Sequence, residues 1–212
     1  MKNIKQKPQE IIWAEFAKIE NLTPEQVEKF QKYAEFLVEW NEKFNLTAIT
    51  NLAGIVRQHF QDSIILRDFV DLSKISSIAD IGAGAGFPSI PLKILFPDIK
   101  LYLIEVTQKK QKFLSFLIDR LSLQNTEIIN LDWRTFLRKT DYKIDYFVTK
   151  AALHEVELIR MFQPSCAYKN AKLVYWASQD LVIYPKAEKF ILQEKFYKLA
   201  KKERKLVFMG NK

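Results

Sequence analysis

The stretch Asp80-Ile81-Gly82-Ala83-Gly84-Ala85-Gly86-Phe87-Pro88 gathers three of the five glycines of a 212-residue chain. It lies between a short apolar run at residues 78–81 and a helical pattern at 88–96. Glycine tolerates positive φ and lets another group approach the backbone closely. The cluster therefore predicts a strand-to-helix turn that shapes a pocket at the carboxyl edge of a sheet. Pro88 and Pro91 suit the first turn of the helix that follows, where a missing N–H costs no intrahelical bond.

Outward from this turn, apolar runs predict strands at residues 78–81, 101–106, 127–130, 146–149 and 172–176. Helical spacing predicts helices at 88–96, 108–121 and 153–162. Such alternation implies an α/β fold, a mostly parallel sheet covered on both faces. Phe196, Tyr197 and Leu199 ahead of residues 206–209 predict an antiparallel hairpin at the sheet edge. Upstream, Thr23-Pro24-Glu25-Gln26 reads as a capping box with proline at the first helical position, and Val27, Phe30, Ala34 and Leu37 recur at helical spacing. This helix is expected to run to about Lys43 and stop at Asn45-Leu46-Thr47. Ile55, Val56, His59, Phe60, Ser63 and Ile64 mark another helix, and Ile11, Ile12, Phe16 and Ile19 an earlier one. The expected organisation is an N-terminal helical extension, residues 1–70, packed on a core domain of residues 71–212.

The chain is 48% hydrophobic, with a formal net charge of +8 and a pI near 9.4. That charge fits an anionic partner such as nucleic acid, and equally a lysine-rich surface that serves solubility. Cys166, the single cysteine, forms no internal disulfide and is expected as a small apolar residue, which suits a reducing, cytoplasmic setting. No apolar run is long enough to span a bilayer, and Met1 to Glu10 is polar rather than signal-like. His59, His154 and Cys166 do not combine at metal-ligand spacing, so no metal is expected.

The glycines follow G-x-G-x-G rather than the G-x-G-x-x-G of loops that seat a pyrophosphate on a helix N-terminus. Gly82, Gly84 and Gly86 are therefore read as a loop for S-adenosylmethionine, a cofactor without phosphate. Glu105 closes the second strand, where a carboxylate accepts hydrogen bonds from two ribose hydroxyls; the plainer reading is a strand-end charge. Asp132-Trp133-Arg134 follows the third strand, at the level where an adenine ring would lie, or else the indole caps the core beside a surface arginine. Thr149-Lys150-Ala151 puts a lysine where the cleft opens, within reach of a carboxylate or an RNA phosphate. His59 and Asp62, three apart on a predicted helix, share a face and are expected to pair, either as a structural cap or as a surface shown to RNA.

Three longer segments carry a resemblance: Trp40-Asn41-x-x-Phe44-Asn45-Leu46-Thr47, His59-Phe60-Gln61-Asp62-Ser63 and Asp80 through Leu92 with its Gly-Phe-Pro-Ser-Ile-Pro-Leu core. Glu203-Arg204-Lys205-Leu206-Val207 adds a fourth. On these the chain resembles the bacterial glucose-inhibited division protein B family, the small-subunit ribosomal RNA guanine-N7 methyltransferases. The resemblance implies a Rossmann-like class I methyltransferase sheet, S-adenosyl-L-methionine as cofactor, and 16S ribosomal RNA or the small ribosomal subunit as partner. It also implies cofactor contacts from Gly82 and Phe87, and an adenine-side loop containing Trp133 and Arg134. The chain departs from the family pattern twice. Lys150 stands where arginine is usual, which keeps the charge and loses the planar fork. Trp176-Ala177-Ser178 replaces a Leu-Lys-Gly segment after the fifth strand.

Guanine N7 carries a free lone pair, so transfer to it needs no general base, and no catalytic residue beyond orientation is expected. The target is expected in a loop or splayed out, since the major groove of A-form RNA is deep and narrow. Lys109, Lys110, Lys112 and the tail from Lys195 to Lys205 are candidates for phosphate contacts, and a monomer is the expected state. The rival functions are a nicotinamide-dependent oxidoreductase on the same sheet and a non-catalytic RNA-binding protein that keeps the fold.

Overall fold

The computed structural model describes residues 8–150, 152–200 and 202–212. Two helices open it, α1 (Gln9–Glu20) and α2 (Pro24–Phe44). The capping box at α2 forms as the sequence predicts: Gln26 N donates to Thr23 Oγ1 at 3.2 Å, and Thr23 N donates to Gln26 Oε1 at 3.0 Å. Asn45 ends α2 in the left-handed region, φ 50°, which asparagine tolerates better than most side chains.

The next helix departs from the expected single α-helix. It is built from α3 (Leu52–Gly54), a π-helical turn over Ile55–Gln61, α4 (Asp62–Ile64) and a 3-10 turn over Ile65–Asp68. The buried positions Ile55, Val56, Phe60 and Ile64 step by four or five residues. The wider π winding keeps that spacing on one side.

From residue 77 the chain alternates: β1 (Ser77–Ile81), α5 (Ser89–Leu95), β2 (Lys100–Ile104), α6 (Gln108–Arg120), β3 (Thr126–Ile129), α7 (Trp133–Lys139), β4 (Tyr146–Lys150), α8 (Glu155–Leu158) and β5 (Lys172–Ser178). It ends with α9 (Pro185–Glu188), β6 (Ile191–Leu199) and β7 (Lys202–Met209). The seven strands lie in the order β3-β2-β1-β4-β5-β7-β6. β1 to β5 are parallel, and the β6–β7 hairpin closes the edge antiparallel. The helix expected at 153–162 is instead the four-residue α8 running into a 3-10 turn over Ile159–Phe162. Helix α7 has a cap that the sequence reading passed over: Thr135 N donates to Asp132 Oδ1 at 3.0 Å.

Alternation along each strand sends side chains to two separate buried layers. Ile78, Leu101, Leu103, Val148, Val174 and Trp176 pack against Phe16, Phe30, Leu37, Phe60 and Leu114 on the face covered by α1, α2, the 52–68 segment, α5 and α6. Ala79, Ile81, Tyr102, Ile104, Phe147, Leu173 and Tyr175 pack against Trp133, Phe136, Leu158 and Phe162 on the other. All five residues of β1 are buried, as expected of a central parallel strand. The register pairs Ile81 with Ile104 and Asp80 with Val148. The carboxyl ends of β1, β2 and β4 are therefore level, and the loops after them share one edge.

Candidate functional site

At that edge the glycine loop turns out of β1 with three positive φ angles, Gly82 at 69°, Gly84 at 60° and Gly86 at 93°. A Cβ on Gly82 would come within 2.5 Å of Ala152 Cβ. One on Gly86 would come within 2.6 Å of Ile90 and 2.8 Å of the Tyr33 hydroxyl. Gly82 and Gly86 thus combine left-handed backbone with close packing. The loop's own amides are engaged internally: Gly82 N and Ala83 N donate to Ile104 O at 2.9 and 3.1 Å, and Gly86 N to Ala83 O at 2.7 Å. Gly84 N donates to Glu105 Oε2 at 2.9 Å. With these four amides engaged the loop offers no continuous row of free donors to a pyrophosphate, which counts against a nicotinamide dinucleotide.

Glu105 lies one residue past β2 and is 5% exposed. Its Oε1 accepts Thr107 N at 2.8 Å. Each carboxylate oxygen has thus taken one amide and keeps a second lone-pair direction for a hydroxyl donor. Across the cleft, Phe87 is stacked between His59, 4.4 Å between centroids, and Tyr33, 5.2 Å. The Tyr33 hydroxyl donates to Ala85 O at 2.6 Å, so α2 grips the loop from behind. Burial, with a smaller push from Asp80, raises the Tyr33 hydroxyl well above the usual phenol range.

These residues line a cavity of about 520 Å³. Gly82, Gly84, Phe87, Glu105, Trp133 and Lys150 all reach it, with Leu46, Thr47, His59, Lys110, Asp132 and Leu153 among the other walls. Gly86 and Arg134 lie outside the lining. Gly86 packs against Ile90 and Tyr33, and Arg134 forks onto Glu157 with Nε–Oε2 and Nη2–Oε1 distances of 2.8 and 2.7 Å. Trp133 is 5% exposed and donates its Nε1–H to Glu157 O at 2.9 Å. It is at once a cavity wall and a core residue, which joins the two readings of this position.

Lys150 meets a carboxylate. Its Nζ lies 2.6 Å from Asp62 Oδ2 and donates to Gln58 O at 3.0 Å. Burial lowers its pKa from the usual lysine range, and the Asp62 charge acts in the opposite sense. Asp62, 0% exposed, also receives Arg204 Nε at 2.9 Å and the Tyr197 hydroxyl at 2.7 Å on Oδ1. Its backbone carbonyl accepts Trp176 Nε1–H at 2.7 Å. The expected His59–Asp62 pair is therefore replaced. His59 Nε2 lies 2.8 Å from Thr47 Oγ1, because the π winding turns residues three apart onto different faces. Burial first, and then Lys150, lowers the His59 pKa to about 4, so the ring is neutral at neutral pH.

Among the proposed phosphate ligands, Lys110 reaches the cavity with Nζ 3.9 Å from Glu105 Oε2. Lys205 does not face solvent: it is 6% exposed, bonded to Leu181 O at 2.9 Å and paired with Glu194 at 2.8 Å. Lys201 of the same tail, Ala151, and residues 1–7 of the N-terminus lie outside the described residues. Ala177, 4% exposed, sits inside β5 opposite Lys205. Asp80, Tyr33 and Thr47 were not singled out as site residues by sequence reasoning. The Asp80 side chain is 0% exposed and accepts the Ser89 hydroxyl at 2.5 Å, while Oδ1 has no partner. Burial raises its pKa to about 7. No group of three or more residues able to hold a metal occurs among the described residues, and no described helix is long and apolar enough to cross a membrane.

The fold is shared with a SAM dependent methyltransferase from Aquifex aeolicus, at TM-score 0.55 and 17% identity over 78% of this chain and 96% of that one. It is also shared with the TrmK of M. capricolum in complex with S-adenosyl-homocysteine, at TM-score 0.52 and 14% identity over 70% and 68%. In sequence the chain is 44% identical over 130 residues to the Ribosomal RNA small subunit methyltransferase G of Lysinibacillus sphaericus, covering 61% of this chain and 55% of that relative. The aligned part spans about half the length of such curated relatives. A family model described as rRNA small subunit methyltransferase G matches residues 26–207, a span that takes in the glycine loop, Glu105, the Asp62 cluster and most of the edge hairpin together. On that match the chain belongs to the rRNA small subunit methyltransferase G family.

Proposed function

We propose that this protein transfers a methyl group from S-adenosyl-L-methionine to N7 of a guanine in small-subunit ribosomal RNA. The observation that carries the reading is the pairing, at one sheet edge, of a glycine loop whose glycine amides are all engaged and a buried Glu105 that keeps free acceptor directions. That donor and acceptor set fits a ribose and an amino acid better than a diphosphate. The cofactor complex of the M. capricolum TrmK, on the same fold, supports the choice.

In this reading Glu105 receives the ribose hydroxyls, Gly82 and Gly84 give the ligand room against the backbone, and Trp133 with Leu131 and Asp132 borders the adenine. When bound, S-adenosyl-L-methionine supplies an electrophilic sulfonium methyl. Phe87, clamped between Tyr33 and His59, would form a rigid wall of the cofactor cleft, and the neutral His59 ring would add no positive charge against a sulfonium. Guanine N7 needs no deprotonation, so the residues act by holding the base in line and excluding water. The described part of the helical extension, residues 8–70, completes the cleft over the domain that follows through Leu46, Thr47 and His59. The RNA, or the small subunit that contains it, approaches over the mouth of the cleft. A reducing, cytoplasmic setting is consistent with the single unpaired Cys166.

The reaction is tested by incubating the purified protein with tritium-labelled cofactor and small subunits that lack their own mark. The proposal expects one methyl per particle, in the 16S RNA. No label in RNA, with the particles labelled by a homologous enzyme in parallel, contradicts it.

A further inference from the structure

On the far side of Trp133 lies a second cavity, of about 570 Å³, walled by Arg134, Arg138, Arg160, Leu137, Gln163 and Cys166. Glu157 is its hub. It holds Arg134 by the fork described above and Arg160 by Nε–Oε2 at 2.8 Å and Nη2–Oε1 at 3.3 Å. The two arginines draw the Glu157 pKa down to about 2. Arg138 has no carboxylate partner among the described residues: its Nε donates to Arg134 O at 3.2 Å and its Nη2 to Thr135 Oγ1 at 3.4 Å. Asp132 also acts on Arg134 and Arg138, so three guanidinium groups beside the Glu157 and Asp132 carboxylates leave one positive charge in excess. The Arg134 and Arg160 side chains remain 61% and 49% exposed.

Folding alone gives little reason to gather three arginines in one depression with positive charge in excess, since exposed ion pairs contribute little to stability. The donors left over on forks held in place by Glu157 match the oxygens of a phosphodiester, which arginine binds in a planar, two-point manner. The depression also communicates with the cofactor cleft. Glu157, whose carboxylate holds the arginines, accepts Trp133 Nε1–H on its backbone oxygen at 2.9 Å. Asp132 and Trp133 line the cleft while Arg134 and Arg138 line the depression, all on one short helix.

We infer that Arg134, Arg138 and Arg160 form a phosphodiester-binding groove that seats the RNA backbone beside the cleft. The inference rests on the RNA substrate proposed above. It gives Arg134 a role toward RNA rather than toward the cofactor.

Arg138 is the residue to change, because no ion pair depends on it. Binding of small-subunit rRNA is measured against KCl concentration for the parent, Arg138→Glu, Arg138→Lys and Arg160→Glu, together with calorimetric affinity for S-adenosylhomocysteine. Each charge reversal is expected to weaken RNA binding by roughly ten-fold and to lower the salt slope by about 0.7 to 0.9. Arg138→Lys keeps most of the slope, and cofactor-product affinity stays at the parent value. Unchanged RNA affinity and slope in both reversed variants overturn the groove. So does a loss of S-adenosylhomocysteine affinity in Arg138→Glu, which would assign the depression to the cofactor. A parent that binds RNA through these arginines yet transfers no methyl supports the groove and overturns the proposed reaction, so the two failures are distinguishable.

Discussion

Two carboxylates are fully buried beneath the cleft, and they are treated in opposite ways. Asp62 is surrounded by Lys150, Arg204 and the Tyr197 hydroxyl. Asp80 has one hydroxyl partner, Ser89, and an oxygen with none. The first joins the helical segment to β4 and to the edge hairpin, so its charge is matched by cations from distant parts of the chain. The second lies in β1 just before the glycine loop, where burial outweighs the pull of Lys150 and pushes its pKa to about 7. The buried charge that fastens elements together is compensated by ion pairs, whereas the one beside the glycine loop has none.

Breaking the compensated carboxylate has the largest expected effect. Asp62→Ala leaves the half-buried Lys150 and Arg204 without their partner, and urea unfolding should show a loss of about 3 kcal/mol. The next effect tests the loop itself. Gly82→Ala adds a Cβ 2.5 Å from Ala152 at φ 69°, so a loss of about 2 kcal/mol is expected, with S-adenosylhomocysteine affinity lowered by roughly ten-fold in calorimetry.

The poised carboxylate makes a smaller and pH-dependent prediction. Asp80 titrates near 3.8 when unfolded and about 7 when folded, so between these values the folded state holds the extra proton. Its contribution to stability therefore falls as pH rises through that window. Relative to the parent, Asp80→Asn should gain on the order of 2 kcal/mol between pH 5 and 8, read from urea midpoints across that range. A parent and variant with parallel profiles would remove the contrast between the two carboxylates.

His59 gives the smallest effect, of the opposite sign. Its folded pKa of about 4 lies below the ordinary 6.5, so the unfolded state takes the proton first and stability falls as pH drops from 6.5 toward 4. Between pH 6.5 and 5.5 His59→Gln should flatten the curve by about 1 kcal/mol. An unchanged acid limb would show that the ring is not sequestered.

Much of this was readable beforehand because its signals are local. The capping box at Thr23, the apolar runs of the five parallel strands and the glycine spacing each act within a few residues. The hairpin at the edge followed from Tyr197 and the run at 206–209. What the sequence concealed is long-range. Asp62 looked like a partner for His59 three residues away, but its cations come from residues 150 and 204, and only folding brings them together. Gly86 and Gly82 look alike in the loop, yet Gly86 faces Tyr33 from α2 rather than the cleft. Arg134 follows Trp133 directly, and the first turn of α7 sends one to the groove and the other to the cavity. Lys205 counts as a surface charge until its strand pairing opposite Ala177 buries it.

The account stands or falls on where the methyl group goes. N7-methylguanine makes the RNA strand cleavable by mild reduction and amine treatment, so 16S RNA from cells with and without this gene can be mapped by primer extension. One cleavage site present only when the gene is intact, and lost in Glu105→Ala, is the predicted result. Identical maps from the two strains would contradict it.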